Sequence, residues 1–141
     1  MNDALNHLQS VLKQHGHSLT QARKAVFTAL LDQPPQTITQ LIARAGDRAD
    51  RASIYRTVQL FEEIGVLQRL QIGWKYKLEL SHEFSGHHHH LTCLRCHRII
   101  EIEEDVELEQ QIMRLAHAHD FEASAHQLEL RGLCGMCKNL K

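Results

Sequence analysis

The sequence of 141 residues lacks any apolar run close to the roughly 20 residues that a membrane-spanning helix needs. It also lacks an apolar leader, because Asp3, Asn6 and His7 interrupt the first ten residues. Low-complexity composition is absent, since hydrophobic residues make up 43% of the chain and charged residues 23%. We therefore expect a soluble cytoplasmic protein with no membrane partner, built as one domain or as two small ones joined by a hinge.

Cysteine is scarce, and the four cysteines form two C-x-x-C pairs, Cys93 with Cys96 and Cys134 with Cys137. In a reducing cytosol such pairs bind metal or carry redox chemistry before they form disulfides. Each pair can present two thiolates to one tetrahedral ion, so two pairs predict a closed, structural zinc site. A thioredoxin-like redox pair is the alternative, but two pairs that flank one small region favour zinc.

Charge is unevenly distributed along the chain. Residues 1–80 carry ten basic against seven acidic side chains, whereas residues 81–141 carry six against ten. A mildly basic first part permits nucleic-acid binding without requiring it, and an acidic, histidine-rich second part suggests a different role. The segment SHEFSG at 81–86 resembles a short hinge, so we predict domains over 1–80 and 87–141.

Apolar spacing in the first part predicts three or four short helices followed by a β-hairpin. Thr20 and Thr39 are suited to cap the second and third helices, and Asp50 or Ser53 to begin the fourth. After Gly65 the apolar residues alternate, which predicts a hairpin that turns near Gly73. This order is typical of a winged helix-turn-helix domain, in which one helix enters the major groove of DNA and the hairpin, or wing, touches the DNA backbone nearby.

The fourth helix is the candidate DNA-binding element. Ile54, Val58 and Phe61 form its inward stripe at helical spacing. Its outward face is predicted to carry four polar residues: Ser53, Arg56, Thr57 and Gln59. The alternative is a small helical domain in which this helix only packs against its neighbours.

The second part mixes strands with one helix, which makes the whole chain α/β (α+β). HHHHLTC at 87–93 predicts a strand, and Ile99, Ile100 and Ile102 mark another. Asp105 begins an amphipathic helix, and residues 123–131 return to strand alternation.

The four consecutive histidines have a geometric meaning on a strand. Alternate side chains point to opposite faces, so His87 and His89 share one face and His88 and His90 the other. Each face can then begin a separate metal site. A purification tag or an exposed polar run are the alternatives, but the run is internal and leads directly into a strand and a C-x-x-C pair.

Candidate partners exist for both faces. His126 is predicted to face inward, and Glu109 lies at the edge of the buried stripe of its helix, so both could join His87 and His89. On the other face His88 and His90 could join three further residues: Glu101, Glu79 and His82. Mixed nitrogen and oxygen ligands suit Zn, Fe(II), Mn, Co or Ni and do not choose among them.

These segments together resemble the ferric uptake regulator (Fur) family of bacterial metal-responsive regulators. The matching motifs are ASIYRTV at 52–58, HHHHLTCLRC at 87–96, IIE at 99–101 and the closing CGMC. The resemblance implies a winged-helix DNA-binding domain over 1–80, a hinge over 81–86 and a small α/β metal-binding dimerisation domain over 87–141. It also implies a homodimer that binds an A/T-rich inverted repeat in double-stranded DNA.

The resemblance also implies roles for individual residues. Tyr55 and Arg56 match base-contacting positions, and Arg23 resembles a phosphate-contacting arginine. The four cysteines match the structural zinc ligands, and the two histidine sets match a dimerisation-domain site and a sensing site. Many members supply a further histidine just after the second helix, but this chain has QPPQT at 33–37. We therefore expect Glu79 or His82 to complete the sensing site.

The function expected from these patterns is a metal-dependent repressor that holds structural zinc and senses a second divalent metal. Fe(II) or Zn(II) is favoured as the sensed metal, and Mn(II) remains open. A peroxide- or manganese-responsive regulator, a zinc enzyme and a zinc-storage protein are the alternatives. An enzyme is disfavoured because the chain has neither an H-E-x-x-H motif nor a deaminase pattern.

Overall fold

The computed structural model describes residues 1–140. The chain divides into two compact units, one comprising Met1–Gly86 and the other beginning at His87. The expected combination of helices and sheets is confirmed: the first unit is a helical bundle with a hairpin, and the second is a small α/β unit.

The first unit contains five α-helices and one hairpin in the described chain. In chain order the elements are α1 (Asn2–Gln14), α2 (Gln21–Leu30), α3 (Ile38–Ala45), α4 (Arg51–Glu63), β1 (Leu67–Ile72), β2 (Lys75–Leu80) and α5 (His82–Ser85). A single 3-10 turn over Gly46–Arg48 links α3 to α4. The order of α2, α3, α4 and the hairpin is that of a winged helix-turn-helix.

The core of this unit forms where the apolar stripes of the helices meet. Phe27 of α2 and Phe61 of α4 are completely buried, as are Leu12 of α1 and Leu41 of α3. Each such side chain contributes roughly 1.5–3 kcal/mol when it leaves water. Packing of this kind fixes α4 in the bundle and leaves its opposite face in solvent.

Side-chain caps determine where these helices begin. The Thr20 hydroxyl accepts the backbone N–H of Arg23 at 3.3 Å, and Asp50 accepts that of Ser53 at 2.7 Å. The expected cap of α3 at Thr39 is wrong. Thr37 is the cap, because its hydroxyl accepts the Gln40 N–H while the Gln40 side chain accepts the Thr37 N–H.

One predicted DNA-facing residue of α4 is misplaced. Thr57 is only 4% exposed, so it cannot belong to the outward face that the sequence predicted. It follows Ile54 by three residues and precedes Phe61 by four, so it lies within the buried stripe. Tyr55, Arg56 and Gln59 are exposed.

The hairpin of the first unit turns where the sequence predicted. β1 and β2 pair antiparallel from Leu67↔Leu80 to Ile72↔Lys75, which leaves Gly73 and Trp74 as a two-residue turn. Gln36 adds an isolated bridge to Leu78. The hairpin is therefore a two-stranded sheet that one isolated bridge joins to the segment before α3.

The segment predicted as a hinge has a regular conformation. Its central residues form α5, and Phe84 packs edge-on against Phe27 with ring centroids 5.1 Å apart. Glu83 pairs with His7 of α1 at 2.7 Å. Residues 82–85 therefore belong to the packed first unit.

The second unit is a three-stranded sheet with one helix. Its elements are β3 (His88–Cys93), β4 (Ile99–Glu103), α6 (Val106–Ala118) and β5 (Glu129–Gly132), and a 3-10 turn covers Cys137–Asn139. β3 lies between β4, which is antiparallel to it, and β5, which is parallel. The strand predicted over 123–131 is shorter than expected, because the ladder with β3 starts only at the His90↔Glu129 pair.

Within residues 1–140, no helix is long and apolar enough to cross a membrane.

The capping box makes a direct prediction about α3. Thr37→Ala removes the cap and should lower the free energy of unfolding by about 1 kcal/mol. Thr39→Ala is the matched control, because Thr39 is exposed inside the helix and alanine is the better helix former. Urea denaturation followed by circular dichroism measures both variants. A larger loss in Thr39→Ala than in Thr37→Ala would contradict the assignment.

Candidate metal centres

The four cysteines converge at one end of the second unit. Cys93 ends β3 and Cys137 opens the final 3-10 turn, while Cys96 and Cys134 come from the adjoining turns. Their sulfur atoms all lie within 4.8 Å of one another. The Cys134 backbone N–H donates to the Cys93 sulfur at 3.4 Å, so the two C-x-x-C turns support each other.

The sulfur spacing fits a tetrahedral metal site. The Sγ atoms of Cys96 and Cys134 are 3.8 Å apart. Two thiolates bound at about 2.3 Å to one tetrahedral zinc lie roughly 3.8 Å apart, whereas a disulfide would bring them to about 2.05 Å. The four cysteines are free of disulfides. The cluster therefore has the composition and the spacing of a closed, all-cysteine zinc site.

The thiols of this cluster do not ionise alike. Backbone N–H groups of Cys134 and Cys96 lower the pKa of Cys93 to about 5, since they stabilise its thiolate. Burial, reinforced by the neighbouring sulfurs, raises the pKa of Cys137 to about 12. Negative charge on one sulfur thus opposes ionisation of the next, and a divalent cation is what allows all four thiolates to coexist.

A second cluster gathers three imidazoles around the Glu109 carboxylate of α6. Oε1 of Glu109 lies 3.0 Å from His87 Nε2 and 2.6 Å from His89 Nε2, and Oε2 lies 2.9 Å from His126 Nε2. His89 is almost completely buried. Burial raises the pKa of Glu109, but hydrogen bonds with His89 and His87 outweigh it and hold the pKa below its usual value.

One buried nitrogen of this cluster indicates that the group can hold an ion. His126 Nε2 is buried and lies 2.9 Å from Glu109 Oε2, yet it makes no hydrogen bond of acceptable geometry. The nitrogen and oxygen atoms of the four side chains lie within 4.8 Å of one another, so they could serve as ligands of one cation. Three imidazoles and one carboxylate suit zinc, iron or manganese.

A third set lies on the opposite face of β3. His88 and His90 place their rings 4.8 Å apart, and the sheet register sets His90 directly opposite Glu101 of β4. The ligand atoms of these three residues lie within 4.8 Å of one another. Strand alternation therefore separates the four consecutive histidines into two donor groups, and each group has its own carboxylate.

The two remaining candidates, Glu79 and His82, lie in the first unit. Glu79 is buried on β2 and accepts a hydrogen bond from the Gln68 side chain at 2.6 Å. His82 opens α5, with Nδ1 3.0 Å from the carbonyl oxygen of Gly86. The sequence patterns did not single out Gln68. Hairpin pairing could have found it, because Gln68 is the cross-strand neighbour of Glu79.

The predicted DNA-contacting residues lie on the helix-turn-helix. Tyr55 is 48% exposed, and the exposed Arg56 guanidinium donates to the Ser53 hydroxyl at 3.3 Å. Arg23, in the first turn of α2, donates to the Ser18 carbonyl at 2.5 Å. The Asp50 cap holds the start of α4, and hydrogen bonds from Ser53 lower the pKa of its carboxyl. That stabilisation is present above the usual carboxyl pKa and is lost as the pH falls through the lowered value.

Comparison with known proteins agrees with this architecture. The model of the "Ferric uptake regulator family" matches residues 14–131. The ferric uptake regulation protein of Campylobacter jejuni is 30% identical over 97% of this chain and 90% of its own length. The Helicobacter pylori ferric uptake regulator shares the fold, with a TM-score of 0.78, 21% identity, and coverage of 99% of this chain and 95% of that one.

A further solved structure is the ferric uptake regulator of Pseudomonas aeruginosa with manganese. It is 25% identical to this chain, with a TM-score of 0.75 and coverage of 89% of this chain and 96% of that one. The family match spans most of the chain and includes the helix-turn-helix and the histidine-rich strand. The chain therefore belongs to the ferric uptake regulator family of metal-responsive, DNA-binding transcriptional regulators.

Proposed function

We propose that this chain is a metal-dependent repressor that acts in the cytoplasm as a homodimer on an A/T-rich inverted repeat in double-stranded DNA. The observation that carries the proposal is the segregation of His87 and His89 from His88 and His90 on the two faces of β3. A storage protein would need metal ligands but no helix-turn-helix. This chain has both the metal ligands and the packed helix α4, on which Tyr55 and Arg56 are exposed.

The four-cysteine cluster is proposed to hold structural zinc. All of its coordination positions are taken by Cys93, Cys96, Cys134 and Cys137, so no position is left open for a substrate. Cys93 is at the end of the central strand and Cys137 is near the end of the chain. Their convergence fastens the terminal segment to the sheet, and Arg95 reinforces it by donating to the carbonyl oxygens of Cys137 and Leu140.

His88, His90 and Glu101 are proposed as the sensing set, completed by Glu79 or His82. When bound, a divalent ion supplies a Lewis-acid centre that neutral imidazoles and carboxylates can share. His88 and His90 are held by the β3–β4 ladder, which places their ring centroids 4.8 Å apart in an edge-on arrangement. Glu79 and His82 belong to the DNA-binding unit of the sequence, so either residue would link ligand binding to that unit.

The cluster of His87, His89, Glu109 and His126 is proposed as a separate divalent-metal site of the dimerisation unit. Glu109 comes from α6, His89 from β3, His87 from the position just before β3, and His126 from the segment before β5. Their convergence connects the helix to the sheet. Fe(II) or Zn(II) is proposed as the sensed metal and Mn(II) remains a candidate, because this mixed donor chemistry accepts all three.

The apolar surface of the second unit supports the homodimer. Among the described residues of α6, none is buried, and Val106 and Leu115 are about two-thirds exposed. Leu130 on β5 is also more than half exposed. An amphipathic helix that leaves its apolar residues in water is covered by a partner, and for this family that partner is a second copy. We propose no enzymatic activity, since the chain has neither an H-E-x-x-H motif nor a deaminase pattern beside its histidine clusters.

Arg56 and Tyr55 are proposed to contact bases, with Ser53 and Arg23 contacting the backbone. Arginine can donate two parallel hydrogen bonds to guanine in the major groove, and this makes Arg56 the main candidate for sequence discrimination. Thr57 is not included, because it is buried in the core of the first unit.

The structural role of the cysteines has a measurable consequence. Cys93→Ser should remove one zinc per chain, lower the melting temperature and dissociate the dimer, because structural zinc contributes folding free energy. Met136→Ala is the matched control, since Met136 is exposed inside the second C-x-x-C turn and is not a ligand. Metal analysis, thermal unfolding and sedimentation provide the readouts. A stable, dimeric Cys93→Ser protein would show that the site is not structural.

The sensing role is tested by changing one face of β3 at a time. The His88→Ala, His90→Ala double variant should lose metal-stimulated DNA binding and remain a folded, zinc-containing dimer. His87→Ala, on the opposite face, is the control and should retain most of the stimulation. Binding is measured by fluorescence anisotropy on a duplex selected from a random pool, across separate Fe(II), Mn(II) and Zn(II) titrations.

Two outcomes would contradict this assignment. Full metal dependence in the double variant would exclude this face as the sensor. Unfolding of the double variant would instead indicate that the metal only stabilises the fold. Separate Glu79→Gln and His82→Ala variants identify the completing ligand, because only loss of that ligand should weaken the metal response.

A further inference from the structure

The Glu79 carboxylate of β2 has a defined orientation within the first unit. It is only 4% exposed, and its Oε1 accepts a hydrogen bond from the Gln68 side-chain amide at 2.6 Å. Gln68 lies directly across the ladder on β1, and its own side chain is half-buried. Since both partners are held by the paired strands, this hydrogen bond limits rotation of the carboxylate.

The hydrogen bond makes the two oxygens of Glu79 unequal. A carboxylate ion only accepts hydrogen bonds, so the amide nitrogen of Gln68, and not its oxygen, must face Oε1. Oε1 is therefore engaged by β1, whereas Oε2 takes no part in this bond. Such an arrangement directs Glu79 to bind a cation through Oε2 alone, because chelation through both oxygens would require the carboxylate to turn away from the amide.

The carboxylate of the other histidine cluster is oriented differently. Oε1 of Glu109 lies 3.0 Å from His87 Nε2 and 2.6 Å from His89 Nε2. Oε2 of the same carboxylate lies 2.9 Å from His126 Nε2. Both oxygens of Glu109 thus face imidazole nitrogens, so this cluster can offer three nitrogens and two oxygens to one ion.

The number of oxygens that a carboxylate offers affects which metal a site prefers. In the sensing set, His88, His90 and Glu101 supply three donor groups, and a single oxygen from Glu79 makes four. Such a set matches the tetrahedral coordination that zinc usually adopts in proteins. Mn(II) usually adopts octahedral coordination and favours additional oxygen donors, which a chelating carboxylate would provide.

We propose that Gln68 is a positioning residue that makes the sensing set selective for zinc over Mn(II), because it restricts Glu79 to one donor oxygen. The proposal rests on the proposed sensing function, and it specifies that Glu79 rather than His82 completes the set. Gln68 is not itself a ligand and acts only through the carboxylate. Side chains that orient a metal ligand in this way commonly alter metal affinity about 10–100-fold.

Gln68→Met tests the role of the amide, since methionine has a similar length and volume but donates no hydrogen bond. The full-length protein, with zinc retained in the cysteine cluster, is titrated separately with Zn(II) and Mn(II) against a competing chelator. Zinc affinity of the sensing set should fall about tenfold or more. Mn(II) affinity should fall less or rise, because the released carboxylate can chelate Mn(II) through its second oxygen.

Two controls separate this effect from a general loss of binding. Gln71→Met makes the same substitution at an exposed position of β1 and should leave both affinities unchanged. The Glu109 cluster of the same protein should also keep its affinities, and Glu109→Ala identifies which binding event belongs to it. In a Glu79→Gln background, Gln68→Met should not change the metal preference further, because Gln68 acts only through Glu79.

Cobalt(II) provides a readout that a loss of stability would not imitate. Tetrahedral Co(II) absorbs visible light more strongly than octahedral Co(II), so the spectrum reports the coordination of the sensing set. Gln68→Met should weaken the absorption that the sensing set contributes. Gln68→Asn keeps the amide but shortens its reach, and it should produce the same change with a polar side chain. Thermal unfolding of each variant before the titration checks that the fold is intact.

The outcomes distinguish failure of this proposal from failure of the proposed function. Equal losses of zinc and Mn(II) affinity with an unchanged cobalt spectrum would overturn the selectivity role of Gln68. An inactive Gln68→Met substitution beside a strong effect of His82→Ala would also overturn it, and the sensing function would stand. If the His88→Ala, His90→Ala double variant keeps its metal affinities and its metal-stimulated DNA binding, the proposed sensing function fails as well.

Discussion

The rest of the site depends on the alternation of side chains along β3. A strand directs consecutive residues to opposite faces, so four histidines in a row cannot all bind one ion. The β3–β4 ladder sets His90 opposite Glu101, while α6 supplies Glu109 to the other face. One short strand thereby contributes to two donor groups, and the same strand ends in Cys93 of the four-cysteine cluster. A shift of the β3 register by one residue would turn every histidine of the run to the opposite face of the sheet.

The DNA-binding unit is constructed on a different principle. Its helices are fixed by buried side chains such as Phe27 and Phe61, and by caps at Thr20, Thr37 and Asp50. These contacts leave Tyr55 and Arg56 exposed on a rigid helix, which is the support that the proposed base contacts would need. The Arg69–Glu62 pair extends this rigidity to the hairpin, although an exposed pair of this kind contributes only about 0–1 kcal/mol to stability.

The sequence predicts the structure best where a short motif can adopt only one local conformation. Paired C-x-x-C motifs, the alternation of His87 to His90 and the Gly73 turn all depend on neighbours in the chain, and the structure has them as expected. Thr57 and Thr39 were misjudged, because a threonine suits a surface, a cap or a buried stripe, and packing decides among them. The start of the last strand and the helical form of residues 82–85 depend on long-range partners, His90 and Phe27, that no local pattern identifies.

The central claim is that a divalent metal and DNA favour the same state of the protein. Linkage requires that each ligand change the affinity of the other by the same factor, commonly about 5–150-fold. The direct measurement is the dissociation constant of the second metal, with the structural zinc in place, for free protein and for protein saturated with the selected duplex. The account predicts that DNA tightens metal binding by the factor by which metal tightens DNA binding. A metal affinity that is unchanged by DNA would contradict it.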